Sequence, residues 1–376
     1  MSNPDSLRHS PLHAEHEALG ASFTPFGDWS MPLKYGKELE EHRAVRERAG
    51  LFDLSHMGEV RVSGPQAAAF LDYALISHLS SIAVGRAKYS MIVRPDGGII
   101  DDLITYRLSE EEFLVVPNAS NTAVVVEALR ERAAGFEVTL DDESTQTALI
   151  AVQGPRAEEI VLSLVGEQDR EAVRTLKYYA AFSATVAGIP DVLIARTGYT
   201  GEDGFELFTP NENASALWAA ALEAGQPHEI QPAGLAARDS LRLEAAMPLY
   251  GNELTEQTTP IDAGLGVLVS AKKEADFVGK EALKAAAEPT RVLVGLASEG
   301  KRAARSGATV LSTEGSEGSE IGVVTSGQPS PTLGHPIALA YVDRASATPG
   351  AEVTVDIRGK HYPFRIVETP FYRRSR

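Results

Sequence analysis

Two adjacent carboxylates, Asp101 and Asp102, stand inside the apolar run of RPDGGIIDDLITYRL, residues 94–108. Gly97-Gly98 marks a tight turn, and the isoleucines, leucine, threonine and tyrosine after it read as a strand. Strands are poor in aspartate, and a carboxylate held out of water without a partner is costly. Alternation places Ile100, Asp102, Ile104, Tyr106 and Leu108 on one face, and Ile99, Asp101, Leu103, Thr105 and Arg107 on the other. The first face is apolar apart from Asp102 and the Tyr106 hydroxyl. If that face meets a core or cleft, Asp102 either gains a partner or has its pKa raised, as a functional acid would. Asp101 is then expected to be solvated or paired with Arg107. The alternative is that both acids cap the hairpin at Gly97-Gly98.

A second stretch, RTGYTGEDGFELF, spaces Gly198, Gly201 and Gly204 three apart. No Gly-Lys-Ser/Thr follows, and no helix opens after a βαβ strand, so it is neither a P-loop nor a dinucleotide fingerprint. It reads as a loop whose backbone passes close to something, or as an ornate hairpin. In the strand GFELF that follows, Glu206 points opposite to Phe205 and Leu207. In PAGLAARDSLRLEAAMPLYGNEL, residues 232–254, Arg238 shares a helical face with Leu241 and Ala245. An arginine there can clamp a carboxylate through two hydrogen bonds, or pair at the surface with Asp239 or Glu244. His56, in LSHMGE, is placed on a strand and lines the cleft or packs. His9, His13 and His16 cluster, but HAEH is not the HExxH zinc pattern, and no metal site is expected. No GxSxG elbow is present.

The elements that position these groups belong to a chain of 376 residues, long enough for two or three domains. Acids outnumber bases 52 to 35, for a net charge of −17, which repels phosphate backbones and argues against nucleic acid as a partner. The absence of cysteine excludes disulfides, thiolate metal sites and cysteine nucleophiles, and fits a reducing compartment. No uncharged apolar run approaches the ~18 residues of a membrane span. The first residues resemble neither a signal peptide nor a transit peptide, so a cytoplasmic protein is expected.

ELEEHRAVRERA, residues 38–49, has helical composition, with Gly50 closing the helix. FDLSHMGEVRVSG follows as an alternating strand pattern. Then VRVSGPQAAAFLDYAL runs strand, Gly64-Pro65, helix, the proline suiting a first helical position. IAVQGPRAEEIVLSLV repeats that grammar at Gly154-Pro155, 90 residues on. After the first unit, two segments read as a strand meander. After the second, FSATVAGIPDVLIARTGYTGEDGFELFTP reads as two strands with a glycine-rich connection. Residues 214–224 and 234–246 read as helices. Strands beside a few helices on each repeat imply an α+β fold with two ferredoxin-like units. From about residue 286 the texture changes to short strands punctuated by glycine and proline. These are TRVLVGLAS, GATVLS, EIGVVTSG, PIALAYVD, AEVTVDI and HYPFRIVE, the signature of a small all-β barrel or sandwich. The chain thus divides into residues 1–285, with two interleaved α+β subdomains, and 286–376, a C-terminal β-barrel domain. EGSEGSE, residues 314–320, is a polar loop tip.

Several segments in order resemble one family: SHMGE, KYSMIVRPDGGIIDDL, ALIAVQGP, RTGYTGEDGFEL, PAGLAARDSLRLEAAMPLYGNEL, DFVGKEAL and TSGQPSPTLG. Together they are similar to the T-proteins, the aminomethyltransferases of the glycine cleavage system. The likeness runs from about residue 11 to the C-terminus. It departs at FGDWSMP, where Asp28 replaces a usual second glycine, which concerns a local turn. The resemblance implies three domains around a central cleft that holds tetrahydrofolate. It implies transfer of the methylene carbon from aminomethyl-lipoyl H-protein to tetrahydrofolate, with release of ammonia. By resemblance, Asp102 is the catalytic carboxylate beside the reacting folate nitrogens. Tyr89 and Tyr106 match cleft-lining tyrosines. Glu206 matches the acceptor for the pterin's donor edge, and Arg238 an arginine that positions folate. Met57, Asn118 and Tyr199 match wall residues. The glycine-rich loop becomes backbone brought close to a flat ring. Arg373, in the basic tail FYRRSR, is expected to help dock the acidic H-protein or shield the entrance.

Rival readings are a tetrahydrofolate-dependent demethylase of small methylated substrates and a non-catalytic binding module. A folate-binding relative serving iron–sulfur assembly carries a signature cysteine, which this chain lacks.

Overall fold

The two strand–Gly–Pro–helix passages fold alike. Strand Val60–Ser63 leads to helix Ala67–Ala74, and strand Thr147–Gln153 to helix Ala157–Leu164. Gly64 and Gly154 adopt φ of 128° and 129°, a region closed to side chains. The prolines do not open the helices. Gln66 and Arg156 are the caps. A tight turn forms across each proline first, with the amides of Ala67 and Ala157 donating to Gly64 O and Gly154 O at 3.0 Å. A computed structural model describes residues 7–269, 273–313 and 318–374. Part of EGSEGSE, residues 314–317, lies outside the described residues.

Each repeat builds one sheet. The first has the order Ala87–Val93, Ile99–Arg107, Glu112–Pro117, Val60–Ser63, Thr139–Asp142. The second has the order Ala181–Val186, Ile189–Ala195, Gly204–Pro210, Thr147–Gln153, Gly50–Asp53, Gln231–Pro232. The strand orders superpose over five strands, and both units are ferredoxin-like, with one added edge strand in the first sheet and two in the second. The position of Thr139–Asp142 in the first sheet is filled in the second by Gly50–Asp53, a segment that precedes both repeats. The units are therefore interleaved. Each sheet carries its own apolar core beneath its helices. A further cluster, with Phe52, Leu54, Tyr106, Leu149 and Leu241, lies between the sheets.

All six strands expected after residue 286 form one closed barrel, from Arg291–Ala297 to His361–Val367. Elsewhere the structure departs from the sequence pattern. Helix Glu38–Glu47 ends before Gly50, which instead starts a strand. A Cβ at Gly50 would lie 2.4 Å from the Val45 side chain, so glycine serves close helix–strand packing there, not capping. FDLSHMGEVRVSG is two strands split by a turn over residues 54–58, so His56 is on a turn and not a strand. FSATVAGIPDVLIA contains an additional hairpin at Ala187-Gly188. Both residues have positive φ, as a two-residue turn requires, but Ala-Gly is a weak sequence signal for one. Finally, residues 8–34 form a small three-stranded sheet. Asp28 sits in its hairpin turn, between Ser22–Phe26 and Trp29–Lys34.

The turn before the paired aspartates is tightly seated. A Cβ at Gly98 would fall 2.2 Å from the Glu256 carbonyl oxygen, a backbone atom that cannot swing away. Gly98→Ala is expected to lower stability by about 2 kcal/mol through overpacking, read as an earlier urea midpoint. An unchanged midpoint would show that the 254–259 segment yields freely.

Candidate active site

Strand Ile99–Arg107 lies second in its sheet, between Ala87–Val93 and Glu112–Pro117. Its Asp102 face turns to a cavity of about 1080 Å³, counting its open mouth, between the two sheets. Met57, Tyr89, Asp102, Tyr106, Asn118, Tyr199, Glu206 and Arg238 all line this one cavity. Residues that are up to 181 positions apart in sequence thus converge on a shared space.

Asp102 accepts hydrogen bonds from the Tyr89 hydroxyl at 2.8 Å and the Asn118 amide at 2.8 Å. Asp101 is neither solvated nor paired with Arg107. It is fully buried and accepts from the Asn118 backbone (2.8 Å) and side chain (2.9 Å) and from Asn121 (2.8 Å). The turn at 118–121 covers the face of the strand that alternation left to solvent. Arg107 instead binds Glu110 and the carbonyls of Ser80 and Ile82. Neither acid caps the hairpin, a role taken by Asp96, which accepts from the Gly98 amide at 3.1 Å. Burial pushes the Asp102 carboxyl up to about 6, against the pull of the Tyr89 and Asn118 hydrogen bonds. Asp101 is pushed up as well, by burial and then by the charge of Asp102. Near neutrality the pair has room for one negative charge more readily than two.

Across the cavity, Glu206 projects from strand Gly204–Pro210, while Phe205 and Leu207 point into the core, as alternation predicts. The Thr197 hydroxyl donates to Glu206, and the Tyr106 hydroxyl lies 3.4 Å from it. Burial raises the Glu206 carboxyl, opposed by Thr197 and the charge of Arg238. Arg238 makes neither of the surface pairs open to it in sequence. Asp239 binds Arg242 at 2.8 Å, and Glu244 binds Arg46 at 2.9 Å. The Arg238 guanidinium stacks 4.8 Å from the Tyr199 ring centroid and has no carboxylate partner among the described residues.

The glycines of RTGYTGEDG answer to a different neighbour from the one expected. Added Cβ atoms at Gly198 and Gly204 would lie 2.0 and 2.3 Å from the Gln153 amide. That amide donates to Thr197 O at 3.0 Å and accepts from Thr200 at 2.9 Å. The close approach is therefore to a side chain on the neighbouring strand, although Gly198 also reaches the cavity wall. Arg373 does not line the cavity. It is exposed, on a tail in which Tyr372 stacks on Arg46 at 4.0 Å and Arg374 lies 3.3 Å from Asp203.

Sequence reasoning missed other wall residues: Phe26, Tyr179 and the stretch Met247–Leu249. Phe26 comes from the small sheet that the sequence pattern did not reveal. Tyr179 holds φ of +59°, a conformation no pattern announces. The histidines at 9, 13 and 16 have neighbours of their own. His9 stacks on His13, and buried His16 bonds Asp53 at 2.7 Å and Tyr35 at 2.9 Å. Among the described residues no helix is long and apolar enough to cross a membrane.

Comparison with known proteins places this cavity in context. The family described as the GCVT N-terminal domain matches residues 12–273, and the glycine cleavage T-protein C-terminal barrel domain matches residues 291–373. The chain belongs to the glycine cleavage T-protein family. An aminomethyltransferase of Corynebacterium aurimucosum is 60% identical over 98% of this chain and 99% of that protein. One of Streptomyces avermitilis is 57% identical over 98% of each. The crystal structure of glycine cleavage system aminomethyltransferase T from Bartonella henselae aligns with a TM-score of 0.90 at 39% identity, over 98% of both chains. In this T-protein the cavity is built by both sheets and the inserted 247–249 stretch, so neither repeat makes it alone.

Proposed function

We propose that this T-protein transfers the methylene carbon of an aminomethyl group, carried on the lipoyl sulfur of H-protein, to tetrahydrofolate in this cavity. One C–S and one C–N bond break, and two C–N bonds form at the folate N5 and N10. The two protons leaving those nitrogens are taken up by the thiolate and by the amine, which departs as ammonia.

The observation that carries this reading is the opposition of Asp102 to the Glu206–Arg238 end of one apolar-walled cavity. Glu206 accepts from the amide-like donor edge of a pterin. Arg238, without an acceptor among the described residues, offers donors to the same ligand. Tyr89, Tyr106 and Tyr199 supply flat walls, and Met57 and Asn118 complete them. Asp102 then stands where positive charge develops on the transferred carbon, and a carboxylate fixed there by Tyr89 and Asn118 stabilises that charge. It also takes and returns protons at the folate nitrogens. Residues 1–285 form the folate-binding region and 286–376 the barrel domain. The cysteine-free composition suits the reducing cytoplasm.

The direct test supplies aminomethyl-loaded H-protein with and without tetrahydrofolate and measures 5,10-methylenetetrahydrofolate. Product is expected when both are present, and its absence then would sink the reading. Arg373, exposed on a basic tail of an acidic protein, steers the acidic H-protein. Arg373→Glu is expected to lower kcat/KM for H-protein by about fivefold at low salt, with the difference fading at high salt. Salt-independent kinetics equal to wild type would remove the tail from docking.

A further inference from the structure

The SHMGE motif contributes a residue that the roles above leave unused. His56 sits on the turn between Gly50–Asp53 and Val60–Ser63, is 2% exposed, and forms part of the cavity wall. Its ring meets Phe26 edge-on, with centroids 5.4 Å apart and planes at 89°. Nδ1 is sealed from solvent and has no hydrogen-bond partner among the described residues. No described protein group bonds Nε2 either, and Nε2 is not among the sealed atoms. A buried imidazole is normally satisfied on at least one nitrogen. One left without any partner, in the wall of a cavity, faces a partner that the cavity brings in.

The protonation state follows from its surroundings. Burial, then the charge of Arg238, push the imidazole down to about 4, against a weaker pull from Asp53. At working pH the ring is neutral, with one N–H and one lone pair. Nδ1 is sealed in, and a buried N–H without an acceptor is rarer in proteins than an underused acceptor. The proton therefore sits on Nε2, the nitrogen open to the cavity.

A neutral donor beside an unpartnered guanidinium makes a donor-rich wall, whereas Glu206 is an acceptor. A pterin carries the matching pattern on adjacent positions: amino and ring N–H donors, then the 4-oxo acceptor. We propose that His56 is a substrate-binding residue that donates its Nε2–H to the 4-oxo group of the reduced pterin and so discriminates against 4-amino pterins. A 4-amino group presents hydrogens to that same N–H and leaves both donors without an acceptor. The inference rests on the folate reading of the cavity and deepens it.

Calorimetric titration of the full-length protein with tetrahydrofolate and with its 4-amino counterpart, under anaerobic conditions, tests it without turnover. The wild-type protein is expected to prefer the 4-oxo ligand. His56→Leu should bind tetrahydrofolate about tenfold more weakly and the 4-amino ligand almost unchanged, so the preference shrinks by the same factor. His56→Gln, whose amide places an N–H near the Nε2 position, should retain most of the preference. Should the leucine variant fail to fold, His56→Asn carries the test, since its shorter amide loses the contact in a polar side chain. Equal loss for both ligands in a folded variant, or no loss for either, overturns the inference while leaving the folate reading in place. A wild-type protein that binds no tetrahydrofolate overturns both.

Discussion

Asp102→Asn is expected to lower kcat about a thousandfold while changing tetrahydrofolate binding by less than about threefold. The asparagine keeps the shape and still accepts from Asn118, but it carries no charge and takes up no proton. The interaction lost is thus one that grows as the transferred carbon becomes cationic, which is why kcat and not binding carries the loss. The wild-type enzyme adds a pH signature. With the Asp102 carboxyl raised to about 6, the ionised form is filled as pH rises through that value, so kcat should climb and then level. The asparagine variant should show no such limb. Stability separates catalysis from damage. A carboxyl whose folded pKa lies above its ordinary value stabilises the fold below about 4 and loses that contribution as pH rises through about 6. At pH 7 the asparagine variant should therefore melt no earlier than wild type. A folded variant that turns over within tenfold of wild type would remove Asp102 from the chemistry.

How far such a site can be read from sequence depends on which interactions are local. Alternation along residues 99–107 is local, and it placed Asp102 and Tyr106 on the cavity face. The same rule put Asp101 on the opposite face but could not say what covers it. That depends on Asn118 and Asn121, whose turn returns only after another strand has been laid down. Likewise Glu206 was legible from its strand, while the neighbour of Gly198 was not, because Gln153 reaches it across a sheet pairing. Barrel strands were legible because glycine and proline punctuate them within a few residues. The hairpin at Ala187-Gly188 lacked that punctuation and went unseen. The interleaving of the repeats showed only as a short echo of strand–Gly–Pro–helix. The identity of the borrowed strand, Gly50–Asp53, is a matter of topology that no local signal encodes.

Glu244→Leu is expected to cost about 3–5 kcal/mol of stability, because it strands several buried donors at once. The Glu244 side chain is fully buried at the end of the helix that carries Arg238. It accepts from Arg46 at 2.9 and 3.0 Å, from Ser330 at 2.5 Å, and from the Thr332 amide and hydroxyl at 3.0 and 2.7 Å, with His42 at 3.2 Å. Its own backbone carbonyl accepts from the Tyr372 amide at 2.8 Å. One carboxylate thus ties the helix Glu38–Glu47 and the barrel loop at 330–335 to the Arg238 helix, and the backbone of the same residue holds the C-terminal tail. Burial pushes this carboxyl up, but the hydrogen bonds and charges of His42, Ser330 and Arg46 outweigh it and hold it at about 2. A depressed acid stabilises the fold above its ordinary pKa of about 4.5 and loses that contribution as pH falls toward 2. Wild type should therefore lose stability steeply between about pH 4.5 and 2, and the leucine variant less so over the same window. Leucine removes the acceptor without supplying another, so the guanidinium, imidazole and hydroxyls keep their desolvation without their partner. Glu244→Gln, which restores one acceptor oxygen, should recover part of the loss. Urea midpoints across that pH range decide the matter. Midpoints and acid slopes that match wild type in both variants would mean that the barrel is held to the Arg238 helix by apolar packing among Leu243, Ile337 and Leu339 instead.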